Sequence, residues 1–157
     1  MYEVIGTRAS RAFRVLWMLE ELGVTYIHTP SAPRSAEVQQ ANPSGKIPVL
    51  KSDGGVITDS VAIMTYLGDV HGAFSYPAGT FRRAQQDAFT LQILDDVDAI
   101  LWTAARHSFV LPEENRVPDV KASLQVEFAA NIARLAEAVA GPFLICLLYT
   151  SPSPRDS

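Results

Sequence analysis

The stretch Thr7-Arg8-Ala9-Ser10-Arg11 separates an apolar run, residues 1–6, from a strongly patterned amphipathic segment. Beyond Ser10 the apolar residues recur at helical spacing and Gly23 follows as a stop, which predicts that Ser10 is the N-cap or a first-turn residue of a helix. The opening turn of a helix presents unpaired N–H groups and the positive end of the dipole, which together stabilise an anion such as a thiolate. An isolated serine at such a place is more often only a helix cap, so this stretch alone leaves both interpretations open.

Strand-like residues lie on both sides of this helix, at residues 2–6 and 24–29. A strand, a helix and a second strand predict a parallel pair with a helical crossover. The polar segment 36–41 is long enough for a turn or two of helix.

The stretch Asn42-Pro43-Ser44-Gly45-Lys46-Ile47-Pro48-Val49-Leu50 combines dense turn chemistry with a strand that begins at a proline. Proline cannot donate to a sheet, so Ile47 and Pro48 are expected at its margin, with the Ile47 backbone available to another partner. The turn Ser52-Asp53-Gly54-Gly55 then predicts a hairpin, and Asp59-Ser60 begins a further helix. The order β-α-β, a short helix, then β-β-α is that of a thioredoxin-like layer with a mixed sheet, over residues 1–72.

Residues 73–79 have the small residues and helix breakers of a linker, and the pattern then becomes helical without strand alternation. We predict a fold of class α/β plus all-α, with an incomplete helical domain at residues 80–144. Apolar stripes at residues 91–102 and 120–139 have too few partners in it and should stay partly exposed. Residues 145–157 end in a Ser/Pro tract and are expected to be a disordered or non-native tail.

Composition narrows the classes of function. The net charge of −4 and an isoelectric point near 5.3 provide no basic footprint for nucleic acid. The longest apolar run, residues 143–149, is too short to span a membrane, and Met1-Tyr2-Glu3 lacks the basic residues that begin a secretory signal, so a cytoplasmic location is expected. The only cysteine is Cys146, so thiol chemistry would need a thiol from outside. His28, His71 and His107 have no ligand spacing, which predicts solvated or capping histidines and no metal.

Four of these stretches, in order, resemble the cytosolic glutathione transferases over residues 1–144. Segment 10–23 is similar to the first helix of that family, 42–50 to its cis-proline loop and third strand, 58–63 to the start of its third helix, and Tyr76-Pro77-Ala78-Gly79 to the entry of its helical domain. The middle segment is the most specific. After residue 144 the chain departs from the family pattern, which implies a C-terminally truncated chain.

The resemblance implies a ligand, glutathione, and roles for particular residues. Ser10 matches the serine of the theta-like classes that donates to the bound thiolate, with Thr7 as the runner-up donor. Although about 5% of X-Pro bonds are cis, the resemblance implies a cis Pro48 that turns the Ile47 backbone to the cysteinyl group. Lys46 would meet the glycyl carboxylate unless it is simply solvated. Asp59 and Ser60 would hold the γ-glutamyl end, a role compatible with helix capping.

The implied activity is conjugation of the glutathione thiolate to a hydrophobic electrophile, in a chain that forms a homodimer at full length and uses glutathione as co-substrate. One alternative is a non-catalytic binding or stress-regulatory protein with the same fold. A pure scaffold would not need the whole set of predicted site residues, which argues against it. Another alternative keeps glutathione but runs an isomerase, dehalogenase or peroxidase reaction. Trp102 and Arg106 are assigned no role.

Overall fold

The chain begins with alternating short strands and helices, in the predicted order. The computed structural model describes residues 1–138. Its first unit covers residues 1–77 and a second begins at Ala78. The first unit contains β1 (Tyr2–Ile5), α1 (Ala12–Glu21), β2 (Tyr26–Thr29), α2 (Ala36–Ala41), β3 (Val49–Ser52), β4 (Gly55–Thr58) and α3 (Ser60–His71).

The four strands form one mixed sheet in the order β2-β1-β3-β4. β1 and β2 are parallel, as the helical crossover predicts, and β3 is antiparallel to both β1 and β4. One row of residues crosses all four strands, because Ile5 lies opposite both Thr29 and Val49, and Val49 lies opposite Thr58. This is the thioredoxin-like sheet that the sequence predicts.

Each face of the sheet has its own apolar cluster. On one face, side chains of β1 and β3 pack with those of α1 and α3, in the cluster Val4, Val15, Leu16, Leu19, Leu50, Ile63 and Leu67. On the other face, Ile5 and Val49 pack with Val38 of α2. Burial of such a side chain contributes about 1.5–3 kcal/mol, so the larger cluster fixes α1 and α3 firmly on the sheet.

Some element boundaries differ from the prediction. α1 begins at Ala12 and its N-cap is Arg11, so Ser10 is neither the N-cap nor a first-turn residue. The Ser10 hydroxyl instead forms a turn with Thr7 ahead of the helix. β3 begins at Val49, which leaves Ile47 and Pro48 outside the strand.

The second unit is helical in the described residues, but its first long helix is interrupted. It comprises α4 (Phe81–Ile93), a π-helical segment (Leu94–Ala99), α5 (Ile100–Ala105), a second π-helical segment (Arg106–Val110), a 3₁₀ turn (Glu113–Asn115) and α6 (Val120–Ala138). The helical spacing expected from residue 80 to about 109 is confirmed, and the two π-helical segments are a detail that this spacing did not indicate. In the first π-helical segment the Asp96 carbonyl accepts a hydrogen bond of 2.8 Å from the buried Asn131 amide of α6. A side chain 35 residues away thus pairs a carbonyl where the α-helical ladder changes.

Apolar side chains on these helices stay exposed, as expected, among them Leu91, Leu101, Trp102, Val126 and Ile132. The helix end predicted at Gly141-Pro142 and the predicted tail, residues 145–157, lie outside the described residues. Among residues 1–138, no helix combines the length and apolar character that crossing a bilayer requires.

Replacement of Glu3 by glutamine should lower stability in a pH-dependent way. The Glu3 carboxylate accepts a hydrogen bond from the Thr29 hydroxyl (2.8 Å) and pairs with the Lys51 ammonium (3.2 Å). The Thr29 hydrogen bond, helped by Lys51 and opposed by burial, lowers the pKa of Glu3. A lowered pKa in the folded state stabilises the fold above the unfolded value of about 4.3, and this stabilisation is lost as the pH falls through the folded pKa.

We therefore expect Glu3→Gln to lower the free energy of unfolding by about 0.5–1 kcal/mol at pH 7 and by much less at pH 3, as measured by urea denaturation. Glu127→Gln is the control, since Glu127 is exposed on α6. An equal loss at both pH values would contradict the assignment to the Glu3 charge.

Candidate functional site

Four chain segments meet at one edge of the sheet, directly beyond the row Thr29-Ile5-Val49-Thr58. β1 continues there into residues 6–11, β4 continues into Asp59-Ser60, and Ile47-Pro48 enters β3 from the same edge. The predicted site residues are thus brought to one place by strand pairing. α1 and α3 both begin beside this edge, so the positive ends of two helix dipoles lie there.

Gly6 holds two of these segments in close approach. A Cβ added to Gly6 would lie 2.9 Å from the Ala12 Cβ and 3.2 Å from the Ile47 Cβ. Its φ of +147° is also one that other residues rarely adopt. Only glycine therefore allows the start of α1 and the loop before β3 to meet here.

Ser10 is half-buried in the loop between β1 and α1. Its hydroxyl donates to the Thr7 carbonyl at 2.7 Å and accepts from the Ala12 N–H at 3.1 Å. The oxygen thus satisfies one of the unpaired N–H groups at the start of α1, although Ser10 lies ahead of the N-cap position. The Thr7 hydroxyl makes no hydrogen bond with any of residues 1–138.

The turn before β3 is organised by Asn42. Its amide donates to the Lys46 carbonyl (2.9 Å), and its side-chain oxygen accepts from both the N–H and the hydroxyl of Ser44. The Arg34 N–H donates to the Gly45 carbonyl at 2.8 Å and ties the turn to the preceding segment. The Lys46 side chain is exposed and forms no ion pair with the rest of residues 1–138.

The Ile47-Pro48 peptide bond is cis, as the resemblance implies. Pro48 is buried and Ile47 is half-buried beside Ile5 and Val38. The paired residues of β3 begin at Val49 on both sides, so Ile47 lies beyond the sheet pairing, as the proline predicts.

Asp59 is the N-cap of α3. One oxygen of its exposed carboxylate accepts from the Val61 and Ala62 N–H groups, at 2.9 and 3.2 Å. Its φ is +75°, which is uncommon for a residue other than glycine and is typical of residues held in place at functional sites.

Ser60 follows as the first residue of α3 and is 2% exposed. Its hydroxyl forms no hydrogen bond with any of residues 1–138. No side-chain oxygen that is itself buried lacks a partner in this part of the chain, so the Ser60 oxygen is the part of the residue that reaches solvent, and its donor and acceptor capacity is available to a ligand.

Sequence reasoning missed the role of His28. Its Nε2 lies 2.8 Å from the Gly6 carbonyl, and since a carbonyl accepts, this nitrogen carries the proton. This agrees with the expectation of a capping histidine, because His28 pairs the carbonyl that follows β1, just before the Thr7–Arg11 loop. The sequence around His28 could not predict this contact, because it forms only when β2 pairs with β1.

The arrangement favours an extended, anionic ligand. Two helix starts and the cationic residue Lys46 border the edge, and a backbone segment outside the sheet pairing lies between the helix starts. Within the described part of the chain, no group of three or more His, Cys, Asp or Glu side chains is arranged to hold a metal ion.

Comparisons with known proteins agree with this geometry. A sequence model of the family "Glutathione S-transferase, N-terminal domain" matches residues 10–70. Maleylacetoacetate isomerase of Rhizobium meliloti (strain 1021) is 31% identical over 99 residues, which cover 59% of this chain and 46% of that relative. The match thus spans less than half the length of the curated relative.

Several solved structures share the fold. Glutathione transferase URE2P6 of Phanerochaete chrysosporium, solved with oxidised glutathione, superposes with a TM-score of 0.79 at 23% identity, over 92% of this chain and 70% of that one. The β-etherase LigF of Sphingobium sp. strain SYK-6 has a TM-score of 0.77 at 20% identity, with 92% and 76% covered. A theta class transferase of Xanthomonas axonopodis pv. citri with bound glutathione has a TM-score of 0.71 at 24% identity, with 87% and 69% covered.

Proposed function

We propose that the chain is a member of the glutathione transferase family, whose N-terminal domain model matches its residues 10–70, and that the edge described above binds glutathione and activates its thiol. The observation that carries the proposal is the meeting of the Ser10 loop, the Ile47-Pro48 segment and Asp59-Ser60 beyond one row of the sheet. In this proposal the tripeptide lies along that edge, with its thiol at α1 and its γ-glutamyl end at α3.

At the thiol end, Ser10 is proposed as the donor to the thiolate. Its proton now goes to the Thr7 carbonyl, a neutral hydrogen bond worth about 0.5–1.5 kcal/mol, whereas a hydrogen bond to a charged group is worth about 1.5–3 kcal/mol. Rotation of the hydroxyl towards a thiolate is therefore favourable. A free thiol has a pKa of about 8.5, so such a donor beside a helix start raises the fraction of thiolate at neutral pH.

Thr7 remains the alternative donor, because its hydroxyl gives up no hydrogen bond to residues 1–138 on turning to a ligand. In the middle of the ligand, the Ile47 N–H and C=O would pair with the cysteinyl backbone in the manner of an added strand. The exposed Lys46 ammonium is proposed to meet the glycyl carboxylate, where solvent screening keeps its contribution small.

At the γ-glutamyl end, the two residues take different charges. The Asp59 carboxylate would bind the ammonium group, and the Ser60 hydroxyl with the start of α3 would bind the carboxylate. Ser60 has no competing partner among residues 1–138, which supports this assignment. Asp59 keeps its capping role, because one carboxylate has two oxygens and the described cap uses only one.

The proposed reaction is attack of the bound thiolate on an electrophilic carbon of a hydrophobic second substrate, which forms a C–S bond and expels a leaving group or saturates an alkene. A glutathione-dependent isomerase is the second candidate, favoured by the match to maleylacetoacetate isomerase. There the thiolate would add to a cis alkene conjugated to a carbonyl, the new single bond would rotate, and expulsion of the thiolate would return glutathione unchanged.

Retention on immobilised glutathione tests the binding, and two assays then separate the reactions. A panel of electrophiles should consume one thiol per product if the chain is a transferase. Maleylacetoacetate should isomerise without loss of thiol if it is an isomerase. Failure to bind glutathione would contradict both, whereas binding without turnover would favour the non-catalytic alternative.

Replacement of Asp59 by asparagine should weaken glutathione binding about tenfold or more, because it removes the charge that meets the ammonium group. Asparagine is an equally good N-cap and tolerates positive φ, so α3 should keep its start. Calorimetry gives the dissociation constant, and thiolate absorbance should show little change in the pKa of the bound thiol.

Asp53→Asn is the matched control, since Asp53 lies in the turn between β3 and β4, where it pairs with the N-terminal ammonium. An unchanged dissociation constant in Asp59→Asn would remove Asp59 from the site.

The proposal also includes the location of the protein, its second substrate and its oligomeric state. We place it in the cytoplasm, acting on a small hydrophobic electrophile, and as a homodimer in a chain of full length.

A further inference from the structure

A second surface of the first unit carries two exposed aromatic side chains. Phe13 and Trp17 lie one turn apart on α1 and are 53% and 59% exposed. Their ring centroids are 5.9 Å apart with an interplanar angle of 49°. Burial of adjacent aromatic rings is energetically favourable, so an exposed pair of this kind indicates a binding surface.

These rings form part of an open pocket of about 380 Å³ between α1 and β2, which is within the size range of small-molecule sites. We call it the α1–β2 pocket. Its walls are formed by Arg8, Phe13, Leu16, Trp17, Glu20 and Tyr26. None of these residues belongs to the set proposed for glutathione.

The polar tips of two wall residues are already occupied. The Trp17 indole N–H donates to Glu21 at 3.1 Å, and the Tyr26 hydroxyl donates to Glu20 at 2.7 Å. These hydrogen bonds fix the two rings, so a ligand would meet their apolar faces and need not satisfy the polar ends. The pocket is therefore prepared for a flat, apolar ring.

The pocket walls carry one positive and one negative side chain, Arg8 and Glu20. The Arg8 guanidinium is the only cation on its walls, and it forms no ion pair with the rest of residues 1–138. Glu20 is the only carboxylate among the described wall residues, and it accepts the hydrogen bond from the Tyr26 hydroxyl. Arg8 and Tyr26 line the same pocket. The Glu20 hydrogen bond and burial raise the pKa of Tyr26, and the Arg8 charge acts against them.

We propose that the α1–β2 pocket binds a planar aromatic carboxylate, with its ring against Phe13 and Trp17 and its carboxylate on the Arg8 guanidinium. A guanidinium binds a carboxylate through two parallel hydrogen bonds, and its planar face also tolerates a neighbouring ring. Glu20 repels an anion and so excludes the reverse orientation. The proposal does not rest on the function proposed above, because it needs neither glutathione nor turnover.

Titration with 2-naphthoate, observed through the indole N–H resonances of the full chain, tests this site. The chain has two tryptophans, so Trp17 reports the pocket and Trp102, in the second unit, is the internal control. We expect the Trp17 resonance to shift and the Trp102 resonance to stay in place. The neutral 2-naphthamide should bind about tenfold or more weakly, because it lacks the charge that Arg8 recognises.

Two variants make the test specific. Arg8→Gln should remove the difference between naphthoate and naphthamide while leaving the rest of the spectrum unchanged. Glu20→Gln should bind naphthoate as tightly or more tightly. Equal affinity for the two ligands, an unaltered preference in Arg8→Gln, or a shift of Trp102 without Trp17 would each overturn the proposal.

Discussion

Replacement of Ser10 by alanine is expected to lower the rate of glutathione conjugation by about ten- to a thousandfold, since it removes one donor to the thiolate. The first unit should stay folded, because Ser10 is only half-buried and belongs to neither apolar cluster. Loss of its bond to the Ala12 N–H would cost at most about 1 kcal/mol of stability. The pKa of the bound thiol should rise, which ultraviolet absorbance of the thiolate measures directly.

Ser35→Ala is the matched control for a purely structural effect. The Ser35 hydroxyl caps α2 by accepting from the Val38 N–H, so its loss removes a comparable cap away from the proposed thiol. We expect full turnover in that variant. If Ser10→Ala kept full turnover while Thr7→Val abolished it, the donor would be Thr7, and if both kept it, neither hydroxyl would activate the thiol.

Replacement of Gly6 by alanine is expected to lower the free energy of unfolding by about 2–4 kcal/mol and to abolish retention on glutathione. The added methyl group would meet the Cβ atoms of Ala12 at 2.9 Å and Ile47 at 3.2 Å, and the φ of +147° would be strained for any side chain. Relief of the clash must separate α1 from the loop before β3. Urea denaturation gives the stability, and binding is then measured under conditions where the variant is folded.

Gly23→Ala separates the two causes. Gly23 also has a positive φ, +64°, but an added Cβ there would meet nothing within 4 Å. It should therefore show only the conformational cost, about 1 kcal/mol, with unchanged glutathione binding. If Gly6→Ala were no worse than Gly23→Ala, the close approach at Gly6 would have no role in the site.

The sequence predicts the first unit well where local chemistry dominates. The turn Ser52-Asp53-Gly54-Gly55 predicts the hairpin, and the strand-helix-strand order predicts the parallel pairing of β1 with β2, both of which the structure confirms. The cis bond before Pro48 is different in kind. Base rates favour trans, so only resemblance to a family could predict it.

Features that depend on distant partners were not predictable. The hydrogen bond from Asn131 to the Asp96 carbonyl joins residues far apart in sequence, so the helical periodicity of this region could not indicate the π-helical segment in which Asp96 lies. His28 likewise acquires its role only when β2 pairs with β1. The start of α1 was predicted too early. The Ser10 hydroxyl accepts from the Ala12 N–H as an N-cap side chain does, but the helix begins at Ala12 and its N-cap residue is Arg11.

For the candidate site, sequence patterns indicated the right segments but not their contacts. The N-capping role of Asp59 follows from its place before an apolar helical run, and the structure confirms it. That Ser60 is nearly buried, and that Gly6 touches both Ala12 and Ile47, depend on the packing of elements. The assignments of these residues to parts of glutathione stay predictions.

Because the candidate site lies beyond the row Thr29-Ile5-Val49-Thr58, the opposite ends of the strands are the place where a label can be attached without touching the site. The opposite ends of the strands carry the Met1 ammonium, which pairs with Asp53 of the turn between β3 and β4, and Tyr2, which contacts His71 at the end of α3. A dye, an affinity tag or a surface tether attached at that turn is separated from the Ser10 loop by the length of the strands. The first unit thus has a built-in attachment point, and immobilising it there keeps the tether at the end of the sheet opposite the candidate site.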